Sequence, residues 1–312
     1  MNADRFAEAL ATLAPAQAIR LRHEYFRDAT WHAPDPLPPR ITAGPWSGPE
    51  IPEVAAADLD AERYRRLMAD HGCVLVRGLV GAAEAAWLRT AIDRALETAD
   101  LPRDERAGRE EWFTPFTPRP EHGKLGPRRK FMRDAGSIWA VDSPRLFDEV
   151  LTRYDELGIL ALVESILHER PVISANKFNL RRVPTGIPTN WHQDGAFLGE
   201  DTRSVNLWLS LSDCGVDAPG LDLVPRRLDR VVDTGTHDAM FDWSVAQAVV
   251  DEVAGSAGIV RPVFAPGDAL LFDHLFLHRT AVSESMTQPR YAIESWFFSP
   301  STFPDGQIPV VL

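Results

Sequence analysis

From Pro171 onward the chain breaks into short apolar runs, and that pattern limits this half to a β-rich architecture. ISANKFNLRRV, SVNLWLSLSD, LDLVP, GIVRPVFA, DALLFDHLFLH and RYAIESWFF are rich in β-branched and aromatic residues and are separated by Gly, Pro and Asp. Runs of this kind pair as an antiparallel sandwich or barrel. The part before Pro171 carries helical periodicity instead. Helices first and strands after read as α+β, with the helices packed on one face of a β core.

Residues 4–27 place Phe6, Ala7, Leu10, Leu13, Ile19 and Leu21 at helical spacing, and Pro15 separates two helical pieces. Between His32 and Val54 seven prolines exclude continuous helix or central strand, which predicts an extended arm on the surface. Asp58 is placed to cap a helix that Gly72 stops, and Cys73 to Arg77 reads as a buried strand. A helix over about 82–98 would turn Ala86, Leu88, Ala91, Ile92 and Leu96 to the core, and another spans 143–169. Residues 100–135 are the least regular part. No internal repeat or low-complexity tract interrupts the chain. Residues 1–312 read as one domain: a helix and Pro-rich arm (1–57), a mainly helical support (58–170) and a β core (171–300).

Lys and Arg total 33 against 45 Asp and Glu, a net charge of −12. That charge repels nucleic-acid phosphates and anionic membrane surfaces, so neither is expected as a partner. No stretch approaches the roughly 18 apolar residues of a spanning helix, and the start lacks a cationic-then-apolar leader, which predicts a soluble cytoplasmic protein. Cys73 and Cys214 stand apart, outside any CxxC pattern, and read as buried small hydrophobes. Oligomeric state leaves no signature, since the N-terminal arm could cover its own barrel or clasp a neighbour.

Chemistry concentrates in the β half. In Asn190-Trp191-His192-Gln193-Asp194-Gly195, residues two apart in an extended segment face the same way, so His192 and Asp194 can converge on one point. An imidazole and a carboxylate so placed supply two members of a 2-His-1-carboxylate iron site; the alternative is a turn in which Asp194 caps backbone amides. The third ligand must come from elsewhere. The run from Asp268 to His278 offers His274 and His278 at equal parity, as if both faced inward with Leu270, Phe272 and Phe276. Twelve residues beyond His278 stands Arg290, whose guanidinium, if buried, needs an anion to offset its desolvation.

Taken together these segments resemble the phytanoyl-CoA dioxygenase (PhyH)-like branch of the Fe(II)/2-oxoglutarate-dependent oxygenases. The resemblance runs from HGCVLVRGLV through WHQDG and VNLWLSLSD to PGDALLFDHLFLHRT and PRYAIESWF. It implies a double-stranded β-helix jelly roll with buttressing helices. It also implies Fe(II) held by His192, Asp194 and His278, with His274 the runner-up. Arg290 and Thr280 would then receive the far carboxylate of 2-oxoglutarate, with Gln193 and Trp208 lining its site. The chain departs from many relatives at Val224-Pro225-Arg226-Arg227, where they carry Pro-Gly-Ser-His. Related halogenases lack the carboxylate; its presence as Asp194 implies hydroxylation or another oxidation, with 2-oxoglutarate and O2 converted to succinate and CO2.

Specificity is expected in 100–135, read as a lid holding Trp112, Phe113 and Phe116 and the cations Lys124, Arg128, Arg129, Lys130 and Arg133. Those cations fit a small-molecule substrate that is anionic or carrier-linked, or else a solvated loop paired with acids such as Glu110 and Glu111. Two other classes remain open at this point. A cupin-type metal enzyme without 2-oxoglutarate would have no use for Arg290, and a non-catalytic binding protein on the same barrel would bind little metal.

Overall fold

The computed structural model describes residues 3–312 except 38, 123, 124, 187 and 188; Lys124 of the expected cation cluster lies outside the described residues. Helix α1 (Ala3–Leu10) and helix α2 (Pro15–Asp28) open the chain, with Pro15 in the first turn, where no backbone N–H is needed. An irregular arm leads to β1 (Glu53–Ala55). Helix α3 (Ala61–His71) is capped not by Asp58, which ends a short 3-10 turn, but by Asp60, whose carboxylate accepts the Arg63 N–H at 2.7 Å. Gly72 stops this helix and β2 (Cys73–Arg77) follows.

Helix α4 (Ala82–Asp100) buries Ala85, Leu88, Ala91, Ile92 and Leu96, while Ala86 faces solvent. The 100–135 segment, expected to be the least regular part, contains α5 (Gly126–Asp134) and is followed by β3 (Ser137–Trp139). The helix expected over 143–169 is two, α6 (Pro144–Glu156) and α7 (Ile159–Leu167). Gly158 between them sits at φ 72°, a left-handed conformation that breaks the helix and costs glycine little.

The β half holds β4 (Val172–Val183), a short helix α8 (Gly195–Leu198), β5 (Ser204–Ser210), β6 (Gly220–Leu223), helix α9 (Gln247–Ala254), β7 (Ala269–Phe272), β8 (His278–Ala281), β9 (Arg290–Phe298) and β10 (Pro309–Val311). GIVRPVFA forms no strand; its β-pairing is limited to single bridges at Val260 and Phe264. DALLFDHLFLH is not one strand either. It leaves the sheet after Phe272, where Asp273 takes a buried ion pair with Arg227 at 2.6 Å and accepts the Leu275 N–H.

The largest sheet has eight strands in the order β1-β2-β7-β5-β9-β4-β10, with β3 also on β4. β6 and β8 form a second sheet, which His192 extends by a bridge to His278. Alternation divides the large sheet into two faces. Val74, Val76, Phe178, Leu180, Val205, Leu207, Leu209, Leu271, Ile293 and Phe297 pack with residues of α3, α4, α6 and α7 in the main core. Leu75, Trp208, Leu270, Phe272, Trp296 and Phe298 point the other way, against Leu221 and Leu223 of the second sheet. The molecule is therefore mixed α and β, with helices on one face of the large sheet and the second sheet on the other. Both cysteines are buried and free, and no helix among the described residues is long and apolar enough to cross a membrane.

Candidate active site

His192, Asp194 and His278 come together in the space between the two sheets. Each offers a ligand atom, and these atoms lie within 4.8 Å of one another. His192 and His278 are backbone partners across the bridge, and their rings stand 4.4 Å apart. Asp194 reaches them differently than an extended segment would allow, because its backbone has already turned helical at φ −62°, ψ −22°. The next residue makes that turn possible. A Cβ on Gly195 would fall 2.9 Å from Val231 Cγ2 and 3.1 Å from the His274 carbonyl, so only glycine lets this segment lie against the 273–277 turn.

Each imidazole is oriented from behind. His192 Nδ1 lies 2.8 Å from the Asn190 carbonyl and His278 Nδ1 lies 3.0 Å from the Phe276 carbonyl. A carbonyl can only accept, so Nδ1 carries the proton and Nε2 keeps its lone pair, as a metal ligand requires. Burial, and then His192, lower the His278 pKa to about 4, which leaves it uncharged at neutral pH. Burial works against a charged Asp194, yet the Lys177 ammonium leads the groups that outweigh it, and the carboxyl is held below its ordinary range. A carboxylate and two imidazoles that present Nε2 are a donor set that suits Fe(II).

His274 takes no part in this group. The chain leaves β7 before reaching it, so its parity with His278 is lost. Its Nε2 donates to the Glu200 carbonyl at 3.1 Å, its Nδ1 meets Ser204 Oγ at 2.9 Å, and its carbonyl accepts the Gly195 N–H. It braces the turn that carries Asp194.

Arg290 opens β9 and is 0% exposed. One of its terminal nitrogens donates to the Gly220 carbonyl at 2.8 Å, the other lies 3.5 Å from Thr280 Oγ1, and Nε has no partner. The Trp208 ring lies 5.4 Å from the guanidinium carbon, with its own Nε1–H unpartnered. Among the described residues no carboxylate pairs with Arg290, and burial followed by the positive Arg181 pulls its pKa down to about 9. A buried guanidinium in that state calls for an anion. Gln193 points its amide elsewhere: it donates to the Leu275 and Arg230 carbonyls and accepts the Val232 N–H.

Lys177 and Glu294 were not singled out in the sequence. Lys177 Nζ lies 3.0 Å from Asp194 Oδ1 and 4.0 Å from the centre of the Phe197 ring. Glu294 is half-buried and accepts from Asn179 and Arg181 at 3.2 Å each; burial opposes its charge, but Arg181 prevails and holds its pKa below the ordinary range. Their signal was present as polar residues at every second position, Lys177, Asn179 and Arg181, alternating with the core residues Phe178 and Leu180. Of the expected cation cluster, Arg129 pairs with buried Asp142, Lys130 with Asp134 and Arg133 with Asp100, whereas Glu111 serves Arg145. Trp112, Phe113 and Phe116 are core.

No curated protein sequence matches this chain. Among solved structures, EctD from S. alaskensis with 2-oxoglutarate and 5-hydroxyectoine is 18% identical, with 85% of this chain and 81% of that chain covered and a TM-score of 0.54. SnoK, a non-heme alpha ketoglutarate dependent carbocyclase from nogalamycin biosynthesis, is 17% identical over 79% of this chain and 87% of that chain, with a TM-score of 0.50. At such identities the likeness is one of fold. Residues 68–290 match the family model described as Phytanoyl-CoA dioxygenase (PhyH), which spans more than two thirds of the chain and both halves of the site. The chain belongs to the phytanoyl-CoA dioxygenase (PhyH) family and is an Fe(II)/2-oxoglutarate-dependent oxygenase.

Proposed function

We propose that His192, Asp194 and His278 hold Fe(II), that Arg290 and Thr280 receive the far carboxylate of 2-oxoglutarate beside Trp208, and that the reaction hydroxylates or otherwise oxidises a small molecule. The observation that carries this reading is the pairing of a preoriented two-imidazole, one-carboxylate group with a fully buried arginine that has no carboxylate partner among the described residues. The cupin-type alternative gives Arg290 nothing to do, and a binding protein needs no oriented Nε2 atoms. When bound, Fe(II) and 2-oxoglutarate supply activation of O2, with succinate and CO2 as co-products.

The chain's own residues bind, orient and shield. The Asn190 and Phe276 carbonyls hold both imidazoles in the ligating tautomer, while Lys177 steadies the second oxygen of Asp194. Gln193 and His274 fix the turn behind the carboxylate. Trp243, whose ring lies 5.8 Å from that of His192, and Phe197 form an apolar wall that limits water near the metal. We read residues 1–312 as one oxygenase unit, the two sheets as halves of a double-stranded β-helix, and part of 100–135 as a cover over the mouth. The substrate is an anionic or carrier-linked small molecule. Two buried free thiols suit a reducing cytoplasm.

The direct test adds Fe(II) and then 2-oxoglutarate to metal-free protein without oxygen, and follows the weak visible charge-transfer band of the chelate. The band should form in the wild type, vanish in Asp194→Ala, and need about 100-fold more 2-oxoglutarate in Arg290→Ala. Tight iron binding with no band at any 2-oxoglutarate concentration would reject the co-substrate assignment.

A further inference from the structure

We propose that the cleft between α5, Trp139 and Phe197 is the substrate site of this oxygenase, and that it takes a monocarboxylic acid with an aromatic or alicyclic body; this rests on the iron and 2-oxoglutarate reading above. The cleft has a volume of about 600 Å³ and is lined by Arg128, Phe131, Met132, Trp139, Phe197 and Gln307, among others. Small-molecule sites fall in the same range, about 300–1,000 Å³.

Its walls are apolar where solvent should favour polar ones. Phe131 is 72% exposed and Phe197 38% exposed, and both line the cleft. Arg128 and Phe131 are three residues apart on α5, so they share a face of the helix and can grip two ends of one ligand. Each large aromatic ring covered by a ligand contributes the transfer free energy of its buried surface.

Arg128 sets the charge class. Its described neighbours on α5 are already neutralised, Arg129 by Asp142, Lys130 by Asp134 and Arg133 by Asp100. Arg128 forms no ion pair or hydrogen bond with any described residue, and the exposed Asp305 on the far wall does not meet it. A single open guanidinium matches one carboxylate bidentately; a phosphate dianion would leave a charge uncompensated. Trp139 adds a further aromatic side chain to the cleft lining.

Phe197 joins this cleft to the metal group. It follows Asp194 by three residues, its ring lies 4.0 Å from Lys177 Nζ, and that nitrogen lies 3.0 Å from Asp194 Oδ1. A ligand seated on Arg128 and Phe131 therefore extends its far end along Phe197 toward the oxidising centre.

The experiment uses the full chain, without oxygen, loaded with Fe(II) and 2-oxoglutarate. Benzoate, cinnamate, cyclohexanecarboxylate and 2-naphthoate are each titrated beside the corresponding amide. Tryptophan fluorescence reads binding, and a shift of the charge-transfer band reads arrival beside the metal. At least one acid should bind about tenfold tighter than its amide and shift the band. Arg128→Gln should remove that preference, Phe131→Ala should weaken acid and amide alike, and Lys130→Gln, which changes a neighbouring exposed charge, should change neither. Arg128 is exposed and has no ion-pair or hydrogen-bond partner among the described residues, so its replacement leaves the fold intact. Equal binding of every acid and its amide, or a preference that survives Arg128→Gln, overturns the proposal. Arg128-dependent binding that leaves an existing band unmoved overturns its assignment as the substrate site. Absence of any band is the separate failure of the iron and 2-oxoglutarate reading.

Discussion

The two faces of the large sheet are built from alternate residues of the same strands, yet they obey different rules. On the face toward the helices, Val205, Leu207 and Leu209 of β5 and Ile293 and Phe297 of β9 sit in a continuous apolar core, and the buried hydroxyl of Ser295 meets that of Tyr154 at 3.0 Å. On the face toward the second sheet, Asn206 has neither amide atom satisfied. Trp208, Trp296, Arg290 and Arg181 each keep a buried nitrogen without a protein partner. A buried polar group left unmade costs about 1–3 kcal/mol. Along β5 and β9 the helix-side face is packed mainly with apolar side chains, whereas the face toward the second sheet also carries unsatisfied polar groups beside the candidate ligand site.

Neighbouring residues on β5 give the strongest way to break this comparison. Leu207→Ala should destabilise the protein by about 2–5 kcal/mol in denaturant unfolding while the iron and 2-oxoglutarate band still forms. Asn206→Leu, one residue away and of similar volume, should be neutral or stabilise by about 1–3 kcal/mol, since it removes two unsatisfied atoms. A large loss of stability in Asn206→Leu would mean that this face, too, is packed for stability. Arg290→Met should show the trade within one residue: thermal stability unchanged or higher, because a buried unpaired charge is gone, with 2-oxoglutarate binding weakened.

The smallest effect should come from the edge of the molecule farthest in role from the site. His23 on α2 places Nδ1 2.7 Å from the Pro309 carbonyl and accepts the Arg119 N–H on Nε2, so it must stay neutral to keep both contacts. Burial is the main cause that lowers its pKa. Because the folded value lies below the unfolded one, near 6.5, the unfolded chain takes up the proton first as pH falls. The stability His23 contributes is thus complete above about pH 6.5 and declines as pH drops toward the folded pKa. Unfolding midpoints between pH 7.5 and 5 should show this slope, and His23→Gln should flatten it without altering the band.

Much of the site was legible because its members lie in short local patterns. His192 and Asp194 are two residues apart, and His278 begins a strand, so spacing and the family resemblance named the group that the structure brings within 4.8 Å. Parity alone did not separate His274 from His278, since it assumes an unbroken strand and Asp273 is drawn out of the sheet by Arg227, 46 residues earlier; the family resemblance is what singled out His278. GIVRPVFA failed in the same way: it has strand composition but only single bridges to Leu223 and Cys214. The cation cluster misled by proximity in sequence, because three of its charges are cancelled by acids on α4, on α5 itself and before α6.

Local sequence by itself determined most of the succession of helices and strands, the face most strands turn to the core, and the residue types able to hold iron. These follow from periodicity and side-chain chemistry, which act over a few residues. Tertiary structure alone decided that Arg290 is buried with no carboxylate partner among the described residues, that Lys177 reaches Asp194, and that Arg128 has no described partner beside Phe197. Each of those outcomes depends on what lies opposite in space, and both desolvation and Coulomb energy are set by that distance rather than by position along the chain.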